Sequence, residues 1–152
     1  MIGGKSMAKS KGSLVAKLLA NCSDIAPVLP YDLANTQLAV IDFSKENRDL
    51  DAIDTGNAEQ FNAYIAGRLA RQGFAVGVGR YDEERVTYRH SALFHGKGEA
   101  RSVHLGIDLF VERGTSVHAP LASTVHSFAD NAGQGNYGPT VILQHELEGL
   151  LF

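Results

Sequence analysis

The chain has 152 residues, of which 44% are apolar and 20% charged, with a net charge of −3. That is ordinary globular usage and long enough for one medium domain or a small domain with a helical preface. The slight acidity and sparse aromatics exclude a nucleic-acid-binding surface, and one cysteine, Cys22, excludes an intramolecular disulfide and a Cys-based zinc cluster.

The start, "MIGGKSMAKSKGS", is basic and reads as disordered. A short amphipathic helix is expected to follow from about Ser13 to Ala20, with Val15, Leu18 and Leu19 on one face. Lys5, Lys9 and Lys11 before "LVAKLLANC" give a superficial likeness to a secretion signal with a lipid-modified cysteine. Lys17 cuts the apolar run short, and Asn21 is larger than the small residue expected before such a cysteine. No segment reaches the roughly 20 apolar residues of a membrane span, so the expected location is cytoplasmic. Cys22 reads as a small, partly buried apolar residue.

"APVLPYDL" (26–33) holds two prolines and reads as an extended linker. "QLAVIDFS" (37–44) is a continuous apolar run and reads as a short buried strand. "NAEQFNAYIAGRLARQG" is the clearest helix. Asn57 is its expected cap, Gln60 completes a capping box, Phe61, Tyr64, Ile65 and Leu69 form the apolar stripe, and Gly73 stops it. "FAVGVGRY" and "RVTYRHSALF" read as the arms of a hairpin joined by the charged turn "DEE".

From Ser102 the character changes. "VHLGIDLFV", "SVHAPL", "STVHSFA" and "PTVILQHEL" read as short strands separated by "ERGT" and "DNAGQGNYG". "ELEGLLF" reads as a turn and the first residues of a returning strand, so the β unit is expected to be incomplete. The expected class is α+β: a disordered start and helix over 1–30, an α/β lead over 31–100, and an incomplete antiparallel β-rich domain over 101–152.

His104 and Asp108 are the candidate site residues. On a straight strand, four residues apart, they share a face but lie about 13 Å apart. A zinc ion holds its ligand atoms at about 2 Å, so both can bind only if the chain bends between them. Gly106 is the residue that permits the bend. Without it the pair is an ordinary histidine and aspartate serving as hydrogen-bonding groups. His118, His126 and His145 read as surface or hydrogen-bonded histidines, and His90 and His95 likewise.

The run "HLGIDLFVERGTSVHAPLASTVHSFADNAGQGNYGPTVILQH" resembles the lysostaphin-type zinc metallopeptidases, a family of peptidoglycan endopeptidases. His104, Gly106 and Asp108 match its H-x-G-x-D motif, "GTSVHAP" (114–120) matches its G-T-P-V-x-A-P segment, and Tyr137–Gly138 with "TVILQH" matches its Y-G turn and strand. The resemblance covers about the last third of the chain. The preceding "VGVGRYDEERVTYRHSALF" looks like the lead into such a domain in long proteins that also carry kinase-like and class III aminotransferase domains. The resemblance implies that His104 and Asp108 are the first two zinc ligands. It places the third ligand in a downstream H-x-H and assisting histidines in that motif and in a downstream Y-x-H, and no histidine after Asp108 here matches either motif. The chain departs from the family at Glu112 or Arg113 and at Ser116, where proline is common, and at Ser123–Thr124, where Asp-Gly is usual. A threonine fits the φ > 0 turn of that Asp-Gly badly, so the turn must be rebuilt or strained.

Three readings stand side by side. The first is the N-terminal part of a zinc metallopeptidase domain, carrying two of three ligands for Zn2+ and inactive alone, with a peptide or peptidoglycan-like substrate. The second is a non-catalytic module that assembles as a homo-oligomer through exposed β edges. The third is a piece of an intracellular protein whose partners supply the chemistry.

Overall fold

The computed structural model describes residues 16–18, 20, 23, 25–86, 102–133, 136–147 and 149–152. The fold is α+β and β-rich. Its strands are β1 (Leu38–Ile41), β2 (Val76–Gly79), β3 (Glu83–Glu84), β4 (Val103–His104), β5 (Asp108–Phe110), β6 (Ser123–Asn131), β7 (Gly138–Leu147) and β8 (Leu150–Leu151). One long helix, α1 (Ala58–Gln72), and a 3-10 turn at Arg48–Ala52 lie between β1 and β2. Cys22, His90 and His95 lie outside the described residues, as does half of the expected helix Ser13–Ala20, whose described part is helical. Among the described residues no helix is long and apolar enough to cross a membrane.

The chain divides into two compact units that interleave along the sequence. One holds Asp32–Thr115 and Asn131–Gly138; the other holds the described residues up to Tyr31, Ser116–Asp130 and Pro139–Phe152. The change of character at Ser102 therefore does not mark the division: β4 and β5 belong with β1, α1 and β2.

In the first unit, β1 pairs parallel with β2, Leu38 opposite Val76 through Ile41 opposite Gly79. A parallel pair needs a crossover, and α1 supplies it. The Asn57 side chain caps α1 by accepting from the N–H groups of Glu59 and Gln60 at 3.0 and 3.1 Å. The reciprocal half of the capping box is not made: Gln60 Oε1 reaches past Asn57 and accepts from Asp54 N–H at 3.0 Å. At the other end Gly73, at φ 68°, donates to Ala70 C=O, and Phe74 N–H bonds Leu69 C=O at 3.1 Å. That is a Schellman stop, and its left-handed residue favours glycine. The stripe Phe61, Tyr64, Ile65 and Leu69 faces the core of Ile41, Phe43 and Leu50. The Phe43 ring lies 5.3 Å from Phe61 and 5.7 Å, edge-on, from Phe110.

Three strand expectations are corrected. "FAVGVGRY" is not a hairpin arm: β2 is a central strand, with β1 on one edge and β5 antiparallel on the other. With both edges taken, no hairpin partner can add to it. Most of the expected second arm lies outside the described residues. The expected "DEE" turn closes at Asp82, at φ 55°, while Glu83–Glu84 form a strand against β4. "VHLGIDLFV" is two strands in two sheets, broken over residues 105–107. "SVHAPL" forms no strand. Pro120 lacks an N–H, and the segment bonds instead to the linker, His118 N–H to Val28 C=O and Ala26 N–H to Pro120 C=O.

The second unit carries a sheet in the order β6-β7-β8. β7 and β8 form an antiparallel hairpin that turns at Gly149, at φ 76°, and His145 and Phe152 exchange backbone bonds at 2.9 and 3.0 Å. Ser123 and Thr124 lie in β6 without positive φ, so the turn that the Asp-Gly would have made is rebuilt, not strained.

Phe43 joins sheet, helix and β5, and it is 1% exposed. Phe43→Ala is expected to lower stability by about 3–5 kcal/mol, measured by urea unfolding.

Candidate functional site

The site lies at a corner of the first unit. Two strand pairs turn it together. β2 runs into β3 through residues 80–82, and β4 runs into β5 through residues 105–107. Their registers place His104 opposite Glu83 and Asp108 opposite Gly79. The bend needed between His104 and Asp108 is therefore present, and it closes the pair to 3.5 Å between His104 Nε2 and Asp108 Oδ1. Leu105 and Ile107 are exposed on the outside of the bend. Gly106 lies inside it, under the imidazole: a Cβ there would stand 3.0 Å from His104 Nε2 and 3.1 Å from Cε1. Its φ is not in the left-handed region. Glycine is favoured here by the tight space under the ring, rather than by the backbone freedom that the sequence suggested.

Beneath the pair runs a chain of charges. Arg85 Nη1 donates to Asp108 Oδ2 at 2.6 Å and Arg85 Nε to Glu83 Oε2 at 3.0 Å. Glu83 Oε1 accepts from Phe43 N–H at 3.2 Å and from Arg80 Nε and Nη2 at 3.1 and 3.0 Å. Arg80 Nη2 also reaches Asp42 Oδ1 at 2.9 Å. The Glu83 and Arg85 side chains are 3% and 7% exposed. The Arg85 guanidinium lies over the Phe43 ring, 5.0 Å from its centroid. Such burial is tolerable because each charge meets a partner. Burial alone would raise the Asp42 carboxyl, but hydrogen bonds from Ser44 and the Arg80 charge outweigh it and hold it below its ordinary 3.8. The Glu83 carboxylate in turn raises Arg80 above its ordinary range.

At 3.5 Å, His104 and Asp108 are too far apart for a good N–H···O bond. Two ligands at zinc distances on a tetrahedron stand about 3.3–3.5 Å apart. An imidazole nitrogen and a carboxylate oxygen are also a donor set that zinc accepts. The two residues thus fit adjacent corners of a zinc site. Two ligands alone do not make one: catalytic zinc uses three protein ligands and a water. Among the described residues, no group of three or more His, Cys, Asp and Glu side chains could hold a metal. His118 and His126 are exposed, as expected, and His126 Nδ1 lies 3.1 Å from Ser127 Oγ. His145 stacks on Phe152 at 5.4 Å, with Nδ1 3.2 Å from Ala122 O.

Arg85, Glu83, Arg80 and Asp42 escaped the sequence reading, which assigned "DEE" to a turn. The signal available was the i, i+2 spacing of Glu83 and Arg85, which puts both on one face of an extended segment.

Two outcomes follow. Gly106→Ala should push the imidazole off its seat and cost about 1–3 kcal/mol as overpacking, read from the His104 ring resonances and thermal unfolding. Because Asp42 is lowered on folding, its stabilisation is full above 3.8 and is lost as the pH falls through the folded value. Asp42→Asn should therefore flatten the acid limb of stability below about pH 4 and leave its shape near neutrality unchanged, measured by denaturant unfolding across pH.

Compared with protein-family models, curated proteins and solved structures, the chain matches none.

Proposed function

We propose that this chain carries two of the three protein ligands of a lysostaphin-type zinc site, His104 and Asp108, and does not hydrolyse peptides on these two alone. The observation that carries the reading is the 3.5 Å approach of His104 Nε2 to Asp108 Oδ1 across a bend seated on Gly106. The match of His104, Gly106 and Asp108 to H-x-G-x-D supports it from the sequence side. Zinc, when bound, would polarise a peptide carbonyl and bring the pKa of a coordinated water to about 7. The chain's own residues hold two corners of the coordination sphere and set their spacing. No H-x-H follows His104 in this sequence, and its one Y-x-H, Tyr88–His90, precedes His104 instead of following it, so this reading takes the third ligand and the base from elsewhere. By the resemblance, the completed site would act on peptide crosslinks of the peptidoglycan kind.

A second reading, a non-catalytic module that assembles with itself, draws on the β6-β7-β8 sheet. Val125, Phe128, Val141, Ile142 and Leu151 are each more than half exposed there, and such apolar surface favours association.

The test is zinc binding by competition with a chromophoric chelator, for the wild type, His104→Ala and Asp108→Ala. Zinc binding in the wild type is expected to fall in each variant by more than the roughly 10- to 100-fold caused by loss of a supporting partner, with no peptide hydrolysis by any of the three. Equal binding in all three would overturn the reading. Sedimentation of the same samples addresses the second: a monomer at all concentrations would remove it.

A further inference from the structure

The Asp108 carboxylate has two oxygens and could present either or both to a metal. In this structure they are not equivalent. Oδ2 is taken by Arg85 Nη1 at 2.6 Å, and Oδ1 is the oxygen that faces His104. We infer that Arg85 is the positioning residue of the half-site: it holds Oδ2 so that Asp108 meets a metal through Oδ1 alone. The inference rests on the reading of His104 and Asp108 as ligands.

Arg85 can do this because its Nε, its Nη1 and one face of its guanidinium are each held, while Nη2 is buried without a hydrogen-bond partner among the described residues. Its Nε is bonded to Glu83 Oε2, and Glu83 is fixed by Phe43 N–H and by Arg80. The Phe43 ring lies under the guanidinium at 5.0 Å. On another side Gly79 leaves room for it: a Cβ there would stand 2.7 Å from Arg85 Nη2 and 3.0 Å from Asp108 Oδ2. The restraint thus runs from a core phenylalanine through a buried ion pair to one oxygen. The planar fork matters as well as the charge. Arg85 donates through Nε to Glu83 and through Nη1 to Asp108 in one fixed geometry, which a lysine cannot reproduce. Supporting partners of this kind orient a ligand and tune its metal affinity. Arg85 supports Asp108 and is not itself a ligand.

The experiment compares the wild type with Arg85→Met and Arg85→Lys by two readouts. The first is the metal-free crystal structure. Arg85→Met is expected to let Asp108 rotate, so that the Oδ1 to His104 Nε2 spacing departs from 3.5 Å. The second is zinc affinity together with the visible spectrum of the cobalt-loaded protein, which reports coordination. Affinity should fall about 10- to 100-fold in Arg85→Met and the cobalt bands should change. Arg85→Lys should restore neither, because it keeps the charge and loses the fork. Asp108 unmoved in the metal-free variant, with affinity and cobalt spectrum as in the wild type, would overturn the inference. If Arg85→Met does not fold, Gly79→Ala crowds the same two atoms with both charges kept, and the same readouts decide. A wild-type chain that binds no zinc would sink the ligand reading of His104 and Asp108. The metal-free position of Asp108 would then still decide what Arg85 does.

Discussion

A guanidinium buried between two carboxylates holds this corner of the protein together. Arg85 is out of water, and a cation there must be met by anions with good geometry. Glu83 and Asp108 meet it from two different strand pairs, and Phe43 offers a ring face from the core. Removing any one partner would leave a buried charge only partly compensated, which costs more than the pair is stabilising. The network therefore contributes geometry more than stability. It fixes where β3 and β5 lie with respect to one another, and with them the two residues proposed to hold a metal.

The face of β2 that looks into the core shows how the apolar and polar halves meet. Gly77 and Gly79 are two residues apart and so share a face. At Gly77 the neighbours are Ile41, Leu69 and Phe110; at Gly79 they are Arg85 and Asp108. One strand thus passes from an apolar junction to an ionic one in a single pleat, and the absent side chains let both approach the backbone. Helix α1 packs over the first junction, and the bend at Gly106 closes over the second.

Much of this was legible in the residues. The helix could be read because the apolar stripe, the Asn57 cap and the Gly73 stop are local signals that agree. The need for a bend at Gly106 could be read because four strand residues are too long for one metal. The partner of β2 could not be read, since edge occupancy is set by residues far along the chain. Nor could the division of "VHLGIDLFV" between two sheets, because an apolar run with one glycine looks the same whether it is straight or folded. Glu83 and Arg85 were hidden by their company. In a run as charged as "YDEER" the ordinary expectation is solvent, and only the tertiary fold makes two of those side chains interior. His118 and Pro120 failed as a strand because their backbone bonds go to the linker at Ala26 and Val28.

The long sequence separations inside the charge network carry a kinetic meaning. Phe43 and Glu83 are 40 residues apart, and Arg85 and Asp108 are 23 apart. Closing such loops costs chain entropy before the contact repays it, and topologies rich in distant pairings fold slowly. The helix and its caps can form from neighbours alone, whereas the ionic corner requires β2, β3 and β5 to be already in register. The spacing of His104 and Asp108 is thus a late product of folding, and chains caught earlier would hold both residues without the geometry that makes them a pair.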